Sequence, residues 1–315
     1  MNCVLVTCRD FFVQQTPLAP DDLLLRKALQ ARGVQVDVVP WEDESYNWEH
    51  ADLVVVRSAW NWHLAHQAYL QWCQRVDRAT VLLNPLRAIH WNSDKYRYFA
   101  DLRRAGVPTI PTLLLSRQSQ VDLSHLLDTT GWRKVILKPS VSANSYATLV
   151  IDRTQQNSLA QGQRQLASLL RERDMLIQPF LEGVVHGQVS HVFFQGKWSH
   201  AFTKPHLQVR LSSGLSTDEP EQCISASSEE IALASFILEA AQQVLGIDTL
   251  VFARVDLVRD GGQWMCMELE INEPALHLEA NEYRACSQLA DAIIASGMVS
   301  STGHRLGRAG SLCAR

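Results

Sequence analysis

The stretch MELEINEP, residues 267–274, places three carboxylates and an amide within eight residues. It comes shortly after the apolar run FARVDLV, residues 252–258, and the RDGGQ segment between them is typical of a hairpin turn. The two stretches are therefore predicted to be antiparallel neighbours in one sheet. Because side chains alternate between the two faces of a strand, Glu268, Glu270 and Asn272 should share one face.

The first strand of this hairpin adds two charges to the same region. Arg254 and Asp256 are two residues apart, so they also share a face, and the turn brings Asp256 opposite the acidic residues of the second strand. Like charges at that distance destabilise a sheet unless a cation lies between them. Carboxylate and amide oxygens suit Mg²⁺. The alternative is a solvated acidic face with Arg254 as an ion-pair partner.

The remaining residues of MELEINEP are expected to have structural roles. Met267, Leu269 and Ile271 alternate with the polar residues and should face a core. Glu273 falls on this second face and precedes a proline, so it is expected to end the strand rather than to bind a ligand.

The composition excludes several classes of protein. The chain has 315 residues, of which 46% are apolar and 20% charged, so it can bury a sizeable core. Its net charge of −4 is not typical of a nucleic-acid or anionic-membrane partner, and no apolar run is long enough to span a bilayer. The seven cysteines show no C-x-x-C spacing, which argues against a disulfide framework or a zinc site. We expect a cytoplasmic α/β protein.

The order of apolar runs and turns suggests four segments. Residues 1–88 alternate strands and helices in the manner of a Rossmann-like, mostly parallel sheet, although no G-x-G-x-x-G motif indicates a dinucleotide site. A second unit is expected over residues 89–181 and a third over 182–298, with a hairpin turning at Gln195-Gly196-Lys197. The Gly-, Ser- and Arg-rich residues 299–315 are expected to form a mobile tail.

Four basic residues elsewhere in the sequence each have both a functional and a structural interpretation. Lys138 lies in the apolar strand VILKPS and would ordinarily be an edge or snorkelling residue. Lys95 lies at a helix start, where a cation is unfavourable unless an anion is near. Lys204 and Arg210 flank a loop that either carries function or is simply solvated.

The chain resembles the ATP-grasp superfamily over nearly its whole length. The resemblance rests on the order of its motifs, which are two lysines, the segment IQPF, R-x-D and E-x-N. One branch of the superfamily has motifs similar to three stretches of this chain: Asp21-Asp22, DLVVVRSAWNW from Asp52, and WNSDK up to Lys95. That branch comprises glutathione-synthetase-type ligases, including the O-ureido-serine cyclo-ligase of cycloserine biosynthesis. The resemblance implies an α/β plus α+β architecture, namely an ATP-grasp fold with an N-terminal Rossmann-like (pre-ATP-grasp) domain.

The resemblance also implies roles for individual residues, with ATP and Mg²⁺ as cofactors and a small amino-acid-like molecule as substrate. Arg254, Lys204 and Arg210 would stabilise transferred phosphoryl charge or the substrate carboxylate. The remaining assignments are Lys95, Lys138, Ser142, Gln178, Pro179, Phe180, Leu181 and Glu182 for ATP, Asp256, Glu268, Glu270 and Asn272 for Mg²⁺, and Arg57, Ser58 and Trp60 for the substrate.

Three segments depart from the sequence pattern of that branch, and all three fall near the expected substrate-binding side of the site. The loop 140–148 has Ser, Ala and Asn where glycines are usual, Gln188 replaces an acid, and Asn61-Trp62 replaces a pair that tends towards Asp-Tyr. An ATP-dependent β-lactam-forming ligase of the tabtoxin type therefore fits as well as ring closure of the cycloserine type. The same motifs would also suit a non-catalytic nucleotide-binding module or a peptide-tailoring ligase. A homodimer is the oligomeric state expected of such ligases.

Overall fold

The computed structural model describes residues 1–9, 19–204, 221–280 and 283–312. This part of the chain contains three sheets. Their strands are β1 (Asn2–Thr7), β2 (Gln35–Pro40), β3 (Leu53–Ser58), β4 (Val81–Leu83), β5 (Leu113–Leu115), β6 (Lys134–Pro139), β7 (Leu149–Asp152), β8 (Met175–Pro179), β9 (Gln188–Phe194), β10 (Lys197–Lys204), β11 (Gln222–Ile224), β12 (Phe252–Asp260) and β13 (Gln263–Glu270).

The α-helices described connect and cover these sheets. They are α1 (Pro20–Gln30), α2 (His66–Ala79), α3 (Leu86–Asn92), α4 (Lys95–Arg104), α5 (Leu123–Thr130), α6 (Gln156–Leu169), α7 (Ser228–Leu245) and α8 (Arg284–Leu312). No helix within the described residues has both the length and the apolarity needed to cross a membrane.

The first sheet has the strand order β2-β1-β3-β4, and all its pairs are parallel. Strands β1 and β3 are buried on both faces, as their near-continuous apolar sequences predict. The Rossmann-like winding predicted from the sequence is confirmed.

The second sheet is antiparallel and has the order β5-β8-β6-β7. Ile136 of β6 lies directly opposite Gln178 of β8, so these two residues and Lys138 share one face. Val135 and Leu137 alternate with them and pack against α5 and α6 in a separate core. A lysine can therefore occupy an apolar strand here, because its face is not the packed one.

The third sheet has the order β11-β10-β9-β12-β13 and is also antiparallel. The predicted hairpin between β9 and β10 is confirmed: Gln195 and Gly196 both have positive φ, as a tight hairpin turn requires. Helix α7, which starts with a capping box at Ser227 and Glu230, covers one face. Helix α8 lies on the other face and shares a core with the first sheet.

The β12–β13 hairpin deviates from strict alternation at one point. Asp256 pairs with Glu268, whereas Leu257 pairs with Cys266, so Met267 is the extra residue of a β-bulge. Leu269 and Ile271 enter the core under α7 as predicted. Met267 is buried in a core as predicted, but in a different core from Leu269 and Ile271: after the bulge it packs with Ile110 and Leu181.

The end of the last helix also differs from the sequence prediction. Helix α8 continues to Leu312, so the expected start of a tail at residue 299 falls inside a helix. Glycine costs only about 1 kcal/mol in a helix interior and does not stop a helix by itself. The division of the chain into domains at residues 88 and 181 stays a prediction.

Two glycines provide a test of backbone packing. A Cβ on Gly183 would lie 1.7 Å from the Arg259 carbonyl oxygen, whereas a Cβ on Gly162 would meet only the end of the Ile151 side chain, at 2.2 Å. We expect Gly183→Ala to lower the free energy of unfolding in urea by about 1–3 kcal/mol, because backbone must move. Gly162→Ala is the control and should change it by less than about 1 kcal/mol, because the helix propensity of alanine offsets the shift of Ile151. Equal losses would contradict this packing.

Candidate functional site

A cavity of about 1050 Å³ lies where the three sheets meet. The second sheet contributes Lys138 and Gln178, and the third contributes Arg254 and the acidic strand β13. The segment after β3 and the loop 140–148 line the remaining side. The structure therefore brings most of the predicted site residues into one place.

Arg254 is the centre of the charged network. It is 3% exposed and donates Nε to Asp256 Oδ1 at 2.8 Å and Nη2 to Asp256 Oδ2 at 2.9 Å. Its Nη2 also donates to Glu270 Oε1 at 2.5 Å, and Nη1 donates to the Ala275 carbonyl at 3.1 Å. Burial opposes the charge of Arg254, but Asp256 and Glu270 together raise its pKa above the ordinary value. The arginine is therefore held in place and permanently charged.

The carboxylates of Asp256, Glu268 and Glu270 offer ligand oxygens that all lie within 4.8 Å of one another. Three hard oxygen donors on two adjacent strands are the kind of set that binds Mg²⁺. Asn272 lies beside them: its Oδ1 accepts a hydrogen bond from the Tyr69 hydroxyl at 2.8 Å, and its Nδ2 is buried without a hydrogen-bond partner. The donor set fits a divalent cation.

The two predicted phosphate-binding lysines face these acids. Lys95 Nζ lies 2.9 Å from Glu268 Oε1 and donates to the Ser142 carbonyl at 2.8 Å. Burial opposes its charge, but Glu268 and Glu270 raise the pKa of Lys95 above its ordinary value. Burial dominates at Lys138 and lowers its pKa to about 8, although Glu268 opposes the shift. Burial alone would raise the pKa of Glu268, but Lys95 and Lys138 hold it below its usual range.

The segment between the second and third sheets differs in detail from the predicted adenine site. Gln178, Pro179 and Leu181 line the cavity, and Gln178 Nε2 donates to Thr112 Oγ1 at 2.7 Å. The Phe180 ring lies outside it, 3.7 Å from Lys134 Nζ. Glu182 is exposed and is not among the described residues that line the cavity; a short 3₁₀ turn begins there. Its assignment to ATP stays a prediction.

The loop 140–148 closes one side of the cavity. Asn144, Ser145 and Ala147 have φ between 51° and 54°, a conformation that usually favours glycine. The loop therefore has a left-handed backbone at three positions, although none of the three residues is a glycine. Ser142 is buried, lines the cavity and donates to the Pro139 carbonyl at 3.1 Å.

Two of the three predicted substrate residues, Arg57 and Ser58, are buried in the interior. Arg57 is 2% exposed; its Nε lies 3.2 Å from Asp22 Oδ1 and its Nη2 donates to the Pro274 carbonyl at 3.2 Å. Ser58 is also buried and donates to Thr7 Oγ1 at 3.0 Å. Neither is among the described residues that line the cavity, because β3 is buried on both faces and holds them in the interior. Trp60, beyond the strand end, does line it.

Sequence reasoning missed Glu273. Its backbone carbonyl accepts a hydrogen bond from Trp60 Nε1 at 2.9 Å, and its carboxylate accepts one from Trp62 Nε1. Burial raises the pKa of Glu273 to about 8. The sequence predicts that Glu273 ends the strand on the face away from the ligands; β13 ends three residues earlier, at Glu270, and Glu273 lines the cavity. His63, whose pKa is lowered to about 4 by burial, lines the same part of the cavity.

Other predicted residues are less fully described. Arg210 lies outside the described residues, and of Lys204 only the backbone, at the end of β10, is described. Gln188, which stands where an acid was expected, donates Nε2 to Asp256 Oδ2 at 3.2 Å. Asn61 accepts from Trp41 Nε1 at 2.8 Å and donates to Glu42 Oε1 at 2.6 Å.

Solved structures share this architecture. A D-alanine–D-alanine ligase from Bacillus anthracis complexed with ATP matches with a TM-score of 0.66 and 14% identity, over 96% of this chain and 99% of that one. The ATP-grasp ligase PsnB complexed with a minimal precursor matches with a TM-score of 0.62 and 17% identity, over 93% and 98% of the two chains. The fold is the ATP-grasp fold.

More similar relatives identify the family. Residues 3–84 match the family model of the N-terminal domain of the D-cycloserine synthetase DcsG. The cycloserine biosynthesis protein DcsG of Streptomyces lavendulae is 33% identical over 275 residues, which are 84% of this chain and 90% of that protein. The crystal structure of D-cycloserine synthetase DcsG matches with a TM-score of 0.80 and 30% identity, over 93% of this chain and all of that one. The chain belongs to the DcsG family, and it is an ADP-forming, carbon–nitrogen bond-forming ATP-grasp ligase.

The buried position of Arg57 predicts a stability effect. In Arg57→Met, Asp22 would lose its charged partner, and we expect the free energy of unfolding to fall by about 3–5 kcal/mol. The affinity for ATP should not change, because Arg57 does not line the cavity. Urea unfolding and calorimetry measure the two quantities. Arg104→Met, at an exposed ion pair, is the control and should cost less than about 1 kcal/mol. An unchanged stability would contradict the structural role.

The pKa of Lys138 predicts a proton uptake. With a pKa of about 8, Lys138 is half charged near pH 8 in the free protein. Bound phosphates favour its charged form, so ATP binding near pH 8 should take up about half a proton. Calorimetry in two buffers with different ionisation enthalpies measures this uptake, and Lys138→Met should abolish it. Uptake that persisted in Lys138→Met but disappeared in Glu273→Gln would assign the proton to Glu273 instead.

Proposed function

We propose that this ligase activates the carboxylate of a small amino-acid derivative as an acyl phosphate and then closes a ring within the same molecule. A nitrogen of the substrate would form the new carbon–nitrogen bond. This is the type of reaction expected of a cycloserine-type cyclo-ligase, and the membership of the DcsG family supports it. An O-ureido-serine is the first substrate to test.

One observation carries the proposal. Lys95, Lys138, Arg254 and the acids of β13 line a single cavity, and Trp60 and Trp62 line the same cavity. The basic side chains suit the triphosphate of ATP, since phosphoryl transfer depends mainly on positioning and charge neutralisation. A small organic molecule would bind in the same cavity, next to the γ-phosphoryl group.

The side chains of the site would have separate roles in the reaction. Lys95 and Lys138 would balance charge on the phosphates, and Arg254 would stabilise charge on the transferred group. The substrate carboxylate takes the γ-phosphoryl group, and ADP leaves with the electron pair of the broken P–O bond. The attacking nitrogen then bonds to the acyl carbon and loses a proton, and phosphate leaves with the C–O electron pair.

Asp256, Glu268, Glu270 and Asn272 would hold Mg²⁺, which supplies charge neutralisation between the phosphates when it is bound. Arg254 already fixes Asp256 and Glu270, so these ligands are positioned before any cation arrives. The preorganised position lowers the cost of assembling the site.

The loop 140–148 would protect the intermediate from water. An acyl phosphate hydrolyses in water, so a closed site favours transfer to nitrogen. Asn144 Nδ2 donates to the Trp60 carbonyl at 3.4 Å, and the rings of Tyr146 and His63 lie 5.1 Å apart. The loop thereby contacts the segment that follows β3. A cavity covered on this side would favour a small-molecule substrate over a peptide; a homodimer and a cytoplasmic location stay predictions.

The proposal is tested with purified protein, Mg²⁺-ATP and a panel that contains O-ureido-serine and β-lactam precursors. We expect ADP and phosphate in equal amounts, together with a cyclic product, for O-ureido-serine. ADP formation with a β-lactam precursor alone would favour the tabtoxin-type reaction. ATP binding without ADP from any panel member would count against the proposed reaction.

Two acids test the metal site directly. Asp256→Asn and Glu270→Gln remove charge from the predicted ligands, and we expect each to weaken Mn²⁺ binding about tenfold or more and to lower turnover about 100-fold or more. Electron paramagnetic resonance of Mn²⁺ measures the binding independently of activity. Glu44→Gln, at an exposed residue outside the cavity, is the control. Unchanged Mn²⁺ affinity in both variants would remove these residues from the metal site.

A further inference from the structure

Strand β13, which carries two of the predicted metal ligands, lies at the edge of the third sheet. Strand β12 pairs along one edge of β13, and the described residues contribute no further strand along the other. The backbone groups of such an edge need other partners. Alternate residues of an antiparallel strand direct both backbone groups to the same side, so Leu269 and Ile271 direct theirs away from β12, whereas Glu270 pairs with Arg254. The unpaired groups therefore lie on both sides of Glu270.

The side-chain amide of Asn92 takes the place of a neighbouring strand at this edge. Its Nδ2 donates to the Leu269 carbonyl at 2.7 Å, and its Oδ1 accepts from the Ile271 N–H at 3.1 Å. Asn92 is 8% exposed and lines the cavity. Both polar atoms of the amide are bound to backbone, and the side chain is uncharged. It therefore contributes to the position of the strand, and it adds no charge to the site.

Asn92 belongs to the short segment WNSDK, which also contacts the opposite wall of the cavity. Three residues further on, Lys95 Nζ lies 2.9 Å from Glu268 Oε1. The backbone N–H of Lys95 donates to the Ser140 carbonyl at 2.9 Å, at the start of the loop that lines the cavity. The segment thus joins the acidic strand of the third sheet to the loop that follows β6. Its contact with β13 sets the distance between the lysine and the acids.

We propose that Asn92 is a positioning residue of the ligase: by binding the backbone on both sides of Glu270, it keeps the Glu270 carboxylate beside those of Asp256 and Glu268. This inference rests on the proposed function, which assigns these acids to Mg²⁺, and it adds the residue that sets their geometry. Ile271 lies beyond the last residue pair between β12 and β13, so the sheet alone does not fix this end of the strand. Groups that orient metal ligands in this way typically contribute about 10–100-fold to metal affinity.

The chain offers a matched control on a different helix. Gln163, on α6, donates Nε2 to the Val121 carbonyl at 2.8 Å and accepts at Oε1 from the Leu123 N–H at 2.8 Å. The two residues that it binds are again two positions apart. Gln163 is not among the described residues that line the cavity. Gln163→Ala therefore removes an equivalent pair of hydrogen bonds away from the site, and it leaves the net charge unchanged, as Asn92→Ala does.

The test measures Mn²⁺ binding to the full-length protein and the two variants by electron paramagnetic resonance. We expect Asn92→Ala to weaken Mn²⁺ binding about tenfold or more, because the ligands lose their fixed position. Gln163→Ala should change it by less than about twofold, because distant sites act independently. Both variants should lower the midpoint of urea unfolding, since each leaves two backbone groups without their partners. A loss of stability alone therefore does not account for the difference in metal affinity.

Hydrogen exchange, followed by mass spectrometry, tests the same contact in the wild-type protein and does not depend on how well a variant folds. If Asn92 and the metal stabilise the same strand position, their effects are coupled, and the coupling is reciprocal. We expect Mn²⁺ to slow the exchange of the peptide that contains the Ile271 amide and to leave the peptide that contains the Leu123 amide unchanged.

The outcomes separate this inference from the proposed metal site. Full Mn²⁺ affinity in Asn92→Ala, together with a loss in Asp256→Asn and Glu270→Gln, would overturn the positioning role and leave the metal site in place. An equal loss of affinity in Gln163→Ala, or exchange at Ile271 that does not respond to Mn²⁺, would also overturn it. A wild-type protein without a Mn²⁺ site would contradict both the inference and the metal assignment.

Discussion

The buried guanidinium of Arg254 is the interaction on which the site depends. Two strands of the third sheet present acids on the same face, and their mutual repulsion would separate the strands without a fixed positive charge. Arg254 binds Asp256 through two hydrogen bonds, reaches Glu270 on the neighbouring strand and donates to the Ala275 carbonyl. One side chain thereby holds the acidic hairpin together and fixes the segment that follows it.

That following segment joins the third sheet to β3 and α1. Asp21 accepts hydrogen bonds from the backbone N–H groups of Leu276, His277 and Leu278, at 2.7–3.0 Å. Arg57 donates to the Pro274 carbonyl. These contacts hold the backbone of residues 274–278 against α1 and β3, directly after Glu273. Trp60, Trp62 and the acidic strand line one cavity.

The alternation of side chains along strands accounts for what could be predicted. Glu268 and Glu270 share a face, and Asp256 lies opposite Glu268, as the pattern of MELEINEP and FARVDLV predicts. Asn272, beyond the strand, lines the same cavity. Lys138 is tolerated in an apolar strand because its face borders the cavity. The same rule fails at Met267, where a bulge adds one residue, and beyond β13, where regular pairing ends. Bulges and strand ends depend on packing between distant segments, so local periodicity does not reveal them.

By itself, the sequence determined the order of the motifs, the Rossmann-like first sheet, the hairpins and the set of acids and lysines, because each depends on residues close together in the chain. Tertiary structure decided which charges serve the site. Arg57 is neutralised by Asp22 from a separate helix, whereas Glu273 meets an indole 211 positions away and faces the cavity. Burial and long-range hydrogen bonding determine whether a charge is structural or available to a ligand, and both arise only when the three sheets assemble.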